Sequence, residues 1–184
     1  MRKPYRKLQI GVMGSAADTK YSKKIEKIAE KIGELVAKSG NTVIYGAEKD
    51  CDSLSTSAAR GAKKAGGLTV GVTYGKGKNI WDDENNTDVI ICSGLERGGG
   101  REFVLVNSCD GIIAISGGSG TMNEMLVAYQ LNIPIVVVKG TGGWADKMAN
   151  KYFDSRKRMK AISADSPGEA VEKLITLIIK SKEF

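Results

Sequence analysis

Short β-branched and aliphatic runs alternate with longer runs whose apolar residues recur every three to four positions, and this alternation continues along nearly the whole chain. Residues 8–13 read as a strand. A helix over about 21–38 follows, with Ile25, Ile28, Ile32, Leu35 and Val36 on one face and Gly40 as its stop. Strands are predicted at 42–45, 68–73, 88–92, 111–115 and 133–138, with a weaker one at 160–163. Helices are predicted at 54–64, 101–107, 121–130, 144–152 and 167–182. The run at 133–138 is almost entirely aliphatic, as in a strand buried on both faces. The last helix has Ser166 as N-cap, Pro167 at its first position and Glu169 to complete a capping box. Residues 74–87, with three consecutive acids and two adjacent asparagines, read as an exposed loop. Strands interleaved with helices imply right-handed βα units on a parallel sheet in three layers. They are too few for an eight-stranded barrel. The expected fold is a doubly wound, Rossmann-like α/β domain spanning 1–184, with no repeat or linker.

That fold places ligands beyond the carboxyl ends of the strands, and the glycines show where. The chain has 23 of them in 184 residues but only three prolines, so the excess belongs to turns rather than linkers. Histidine is absent, which removes Ser–His–Asp and Cys–His catalysis and any His-ligated metal. Three cysteines, at 51, 92 and 109, match no metal spacing. They suit small core positions in a reducing cytoplasm. No metal site is expected. Twenty-eight basic against 21 acidic residues give a net charge of +7. The excess is dispersed, apart from short clusters at Arg2, Lys3, Arg6 and Lys7 and at Arg156, Lys157, Arg158 and Lys160. These read as solvated faces, not a nucleic-acid groove, and no apolar run is long enough for a membrane helix.

Three glycine-rich turns are candidates for chemistry. The first, GVMGSAADT from Gly11, fits neither the dinucleotide fingerprint GxGxxG nor a phosphate loop GxxxxGKS/T. Gly14 and Ser15 could still receive a phosphate or ribose. The strongest signal is ISGGSGTMNE, residues 115–124. Gly117, Gly118 and Gly120 permit a tight turn and close backbone approach, and a helix then starts at about Thr121, with free N–H groups that suit an anion. Thr121 and Glu124 also satisfy a capping box, a purely local alternative. The third turn, GLERGGGRE, offers Arg97 and Arg101 around three glycines; Arg101 at a helix start is unfavourable for the dipole but suited to clamping a phosphate.

Together these segments resemble the superfamily of molybdenum-cofactor carrier-like proteins and LOG proteins, whose members were widely labelled lysine decarboxylases, a name the chemistry does not support. The hallmark GGxGTxxE stands here as Gly117, Gly118, Gly120, Thr121 and Glu124, and Arg101 keeps the family's spacing of nine residues to Asp110. The opening GVMGS, the GAKKAGG at 61–67 and the Asn132-Ile-Pro-Ile segment extend the likeness over most of the chain. The resemblance implies a nucleotide-binding fold and a homodimer or higher homo-oligomer, with the phosphate resting on Gly118, Gly120 and Thr121; with the strand-end turns, the candidate phosphate or nucleotide site is Gly14, Ser15, Gly46, Gly117, Gly118, Ser119, Gly120 and Thr121. In the LOG branch the residues matching Arg101 and Glu124 are catalytic. They cleave the N-glycosidic bond of a nucleoside 5′-monophosphate to free base and ribose 5-phosphate.

Two departures place the chain nearer the carrier-like branch. Ser116 stands where the LOG hallmark begins with proline, and the second-strand loop reads GAEKDCDSL, with Asp50, Cys51 and Asp52 where glycine is usual. The added acids are expected to repel a phosphate from that loop. The expected function is binding of a phosphate-containing small molecule, a nucleotide or a molybdopterin-like cofactor. Phosphoribohydrolase chemistry is the alternative, and association with nucleic acid a second one.

Overall fold

In a computed structural model the described residues are 6–181. Arg2, Lys3 and the predicted end of the last helix at Lys182 lie outside them. Seven strands form one parallel sheet: β1 (Gln9–Gly14), β2 (Thr42–Gly46), β3 (Thr69–Thr73), β4 (Val89–Cys92), β5 (Gly111–Ile115), β6 (Ile135–Val138) and β7 (Ile162–Ala164). Their order is β4-β3-β2-β1-β5-β6-β7. The chain winds outward from β1 to β4, returns to lay β5 against the other side of β1, and winds outward again. The switch therefore falls between β1 and β5, where Gly14 is paired with Ile115. This is where an open α/β sheet leaves a crevice at its carboxyl edge.

Helices α1 (Lys23–Lys38), α2 (Leu54–Lys64) and α6 (Pro167–Ser181) cover one face, over a core that includes Ile10, Val12, Ile32, Val36, Ile113 and Leu174. Helices α3 (Arg101–Asn107), α4 (Ser119–Gln130) and α5 (Gly143–Met148) cover the other, over Met13, Ile44, Leu105, Ile112, Met125 and Tyr129. Every residue of β5 and β6 is buried, as the aliphatic runs require. Local signals set the helix starts. The Ser53 hydroxyl accepts from the Thr56 amide at 3.0 Å, and Ser166 accepts from the Glu169 amide at 3.2 Å. Glu169 reaches back to the Asp165 amide at 2.7 Å, one residue before the cap.

Helices α1 and α2 pack almost backbone to backbone. A Cβ added at Gly33 would sit 1.8 Å from the Ala58 carbonyl oxygen, and one at Gly61 would sit 1.8 Å from that of Glu30. This closeness draws α2, and the loop before it, tightly onto α1. Arg60 then pins the same corner: its buried guanidinium reaches Glu26 at 3.0 Å and Asp52 at 3.1 Å. The loop at 74–87 is ordered around one carboxylate. Asp82 accepts hydrogen bonds from the Asn86 and Thr87 amides and from both side chains, which holds its carboxyl below the ordinary range despite partial burial.

Some expectations change. Only Cys109 is a core residue; Cys51 and Cys92 are half-buried on the carboxyl-edge side. Burial pushes the Cys109 thiol well up, so it is inert. The basic clusters are partly paired at short range: Arg6 with Asp110 at 2.7 Å, and Arg156 with Asp154. Trp144 packs half-buried against the α3–α5 core.

Candidate functional site

The end of β5 is locked before it becomes helix. Ser116 has φ +54° and Gly117 φ +97°. A proline, fixed near φ −65°, cannot take the Ser116 conformation, so the departure from the LOG hallmark is a different turn and not a neutral exchange. The Ser116 amide donates to Thr141 Oγ1 at 2.8 Å and the Gly117 amide to Ser15 Oγ at 2.9 Å. The carbonyls of Ser116 and Gly117 accept from the Ala145 and Trp144 amides at 2.9 and 3.0 Å. A Cβ at Gly143 would fall 2.5 Å from the Gly117 oxygen, so α5 is seated directly on the turn.

What remains open is the first turn of α4. The helix begins at Ser119, two residues earlier than the sequence pattern predicts, with Gly118 as its cap residue and no side-chain cap. The first helical bond runs from the Met122 amide to the Gly118 carbonyl. The amides of Ser119, Gly120 and Thr121 have no protein acceptor among the described residues. They form the positive end of a twelve-residue helix, the arrangement that binds anions. A Cβ at Gly120 would meet nothing within 4 Å.

This turn forms part of a cleft of about 490 Å³ across the β1–β5 switch, within the range of roughly 300–1,000 Å³ usual for small-ligand sites. Gly14, Ser15, Gly118, Ser119, Gly120, Thr121, Arg101 and Glu124 all line it. Gly46 and Gly117 lie behind its wall. Gly46 makes room for arginine, since a Cβ there would be 2.4 Å from Arg101 Nη1. Gly117 has its amide committed to Ser15.

Because α4 starts early, Thr121 is not its cap and Glu124 is one turn further in. The capping-box alternative therefore does not describe Glu124. Glu124 is 7% exposed and lines the cleft, and its carboxyl has no hydrogen-bond partner among the described residues. Burial raises its pKa to about 8; Arg101 opposes the shift, while Glu102 and Glu48 add to it. At neutral pH it is mostly protonated and can donate a hydrogen bond or a proton. A folded-state pKa above the unfolded value means stability is greatest below about 4.5 and is lost as pH rises through about 8. Glu124→Gln should remove that loss. Melting temperatures of the two proteins from pH 4 to 9 should show the variant gaining on the wild type up to about pH 8, then a constant difference.

Arg101 is 4% exposed and heavily engaged. Its Nη2 reaches Glu48 at 3.0 Å and Glu102 at 3.3 Å, and Nη1 reaches the Val72 carbonyl at 3.4 Å. Glu102 in turn accepts from the Gly98 amide at 3.1 Å, which fixes the glycine-rich strap. Glu48, the first acid of the loop at 48–52, and Glu102 are not among the candidate site residues that the sequence offers. Glu102 directly follows a helix-start arginine, a signal that was present; Glu48 carries none, because its partners are 49 and 53 residues away. Of the acidic second-strand loop, Glu48 is the member that lines the cleft. Neither Asp50 nor Asp52 lines the cleft: Asp52 is turned to Arg60, and Asp50, highly exposed, accepts from the Tyr74 hydroxyl at 3.0 Å.

Known proteins share this fold. The chain is 28% identical to the molybdenum cofactor carrier protein of Chlamydomonas reinhardtii, with a TM-score of 0.76 over 95% of this chain and 99% of that one. It is 27% identical to the molybdenum cofactor binding protein of the phototrophic bacterium Rippkaea orientalis, with a TM-score of 0.77 over the same shares. An uncharacterized protein of Archaeoglobus fulgidus is 32% identical over 123 residues, 67% of this chain and 74% of that one. The resemblance is thus to the LOG and molybdenum-cofactor-carrier superfamily, closer to its carrier-like branch. With residues 7–171 matching its model, the chain belongs to the SLOG cluster4 family.

Proposed function

We propose that the protein binds a phosphate-containing small molecule, a nucleotide or a pterin-nucleotide-like cofactor, with its phosphate on the amides of Ser119, Gly120 and Thr121. The observation that carries this reading is that these amides are unoccupied by protein and open onto the cleft beneath a rigid turn. Three directed N–H donors at a helix start recognise a tetrahedral anion without needing a basic side chain. The likeness to carrier and binding proteins for the molybdenum cofactor supports a ligand of this class. The cleft holds Asp18, Glu48, Glu102 and Glu124 against Arg97 and Arg101, a balance that suits a small polar molecule better than a polyanionic nucleic acid. No helix among the described residues is long and apolar enough to cross a membrane. In this reading the chain acts as one nucleotide-binding domain. It forms a homodimer, to which the exposed apolar side chains Phe103 and Leu126 on α3 and α4 would contribute. Mass spectrometry of small molecules retained by freshly purified protein tests the assignment. A nucleotide or pterin phosphate in near-stoichiometric amount supports it, and retention of only phosphate-free compounds counts against it.

Glu124 favours one second reading, phosphoribohydrolase activity. A buried, largely protonated carboxyl beside an arginine is suited to protonating a leaving base or, once ionised, to stabilising an oxocarbenium-like ribose. Release of ribose 5-phosphate from a nucleoside monophosphate, stopped by Glu124→Gln, would support it; no turnover across a nucleotide panel would reject it.

A further inference from the structure

Two arginines border the cleft, and one carboxylate holds both. Glu48 Oε1 accepts from Arg101 Nη2 at 3.0 Å, and Glu48 Oε2 accepts from Arg97 Nη2 at 2.5 Å. This is the pattern a phosphate would make with the same pair, one oxygen to each guanidinium. Glu48 is set there by its backbone, whose carbonyl accepts from the Trp81 amide at 2.8 Å. Arg97 is oriented independently of Glu48, over the Tyr74 ring at 4.9 Å from its centroid. Arg101 is also bonded to Glu102. Asp50 stands 3.6 Å from Arg97 Nη2 as well, so two positive and three negative side chains meet in one group, which has no excess positive charge and few free donors. The cleft is thus bipolar, with open amides at the α4 end and a neutralised arginine cluster, dominated by acceptor oxygens and the Glu124 carboxyl, at the other.

We propose that Glu48 is a specificity-determining residue. By occupying Arg97 and Arg101, it makes the cleft select a ligand with a single phosphate and an uncharged head rich in N–H or O–H donors, and reject a second phosphate. This rests on the reading of the α4 end as the phosphate seat. The added negative group of a diphosphate would have to displace Glu48 from both arginines or lie against it, and both are unfavourable. Glu48→Gln keeps the side chain's size and an acceptor oxygen while removing the charge. Arg101 retains Glu102, so the fold is expected to persist.

Calorimetric titration with AMP and ADP, together with modification of Arg97 by phenylglyoxal with and without pyrophosphate, tests the proposal. Wild-type protein should bind AMP at least tenfold more tightly than ADP. Glu48→Gln should raise ADP affinity relative to AMP at least tenfold, and pyrophosphate should protect Arg97 in the variant only. Arg97→Gln should not raise ADP affinity, because Glu48 then still covers Arg101. This control separates a charge effect from simple loosening of the strap. An unchanged AMP-to-ADP ratio in Glu48→Gln, or pyrophosphate protection of Arg97 already in the wild type, would overturn the proposal. Absence of AMP binding alongside variant-only protection by pyrophosphate would uphold the role of Glu48 and count instead against the nucleotide reading.

Discussion

Gly120→Asp is expected to leave the fold intact and to weaken binding of a nucleoside monophosphate by at least about 100-fold. Gly120 is the second residue of α4, its φ is not in the left-handed region, and a Cβ there meets nothing within 4 Å. Acidic side chains in a first helical turn are themselves favourable for the helix, by about 0.3–1 kcal/mol. Stability should therefore hold or rise slightly while the anion seat acquires a like charge. Two such charges about 4 Å apart interact by roughly 4 kcal/mol at an effective dielectric of 20, which is nearly three decades of affinity before solvent and side-chain rotation reduce it. Calorimetry reads the affinity and thermal unfolding reads the fold. Unchanged affinity in a folded variant would show that the phosphate lies elsewhere. Gly117→Ala and Gly143→Ala would not make this test, since both residues have positive φ and both Cβ positions fall 2.5 Å from protein atoms.

Gly61→Ala should have the largest effect on stability. Helix propensity alone predicts a gain of up to about 1 kcal/mol for alanine over glycine in a helix interior. Packing reverses the sign. The new methyl would lie 1.8 Å from the Glu30 carbonyl oxygen, and a backbone atom cannot step aside as a side chain tip can. Helices α1 and α2 would have to separate, losing contacts around Ala29, Ala58 and Ala62, all fully buried. The expected net loss is at least about 2 kcal/mol, a fall of roughly 4–8 °C in a domain of this size. Gly168→Ala is the control. It lies in α6 with open space around its Cβ, and thermal unfolding should show no loss. Equal behaviour of the two variants would mean that α1 and α2 are not in backbone contact.

The fold was legible because its strands are short aliphatic runs separated by periodic helices. The elements with the plainest pattern, α2, α3 and β5, begin and end where the sequence places them. Boundaries failed where tertiary contacts decide. Helix α4 starts early because the Ser116–Gly117 turn is tied down by Thr141, Ser15 and the start of α5, and that tie is invisible in local sequence. The site divided the same way. The glycines and the Arg101–Glu124 pair could be found because both the turn chemistry and the hallmark mark them. Glu48 could not be, since its importance lies in the two distant arginines that the sheet order brings to it. For the same reason, the acids of one short loop part company in three dimensions: Asp52 turns to Arg60, whereas Glu48 and Asp50 both reach Arg97.

The most direct measurement is a crystal structure of the protein with AMP. Phosphate oxygens within about 2.7–3.1 Å of the Ser119, Gly120 and Thr121 amides, with the base toward Glu124 and Glu48 still on both arginines, is the predicted result. A phosphate held by Arg97 and Arg101 with Glu48 displaced, and the α4 amides facing only water, would contradict it.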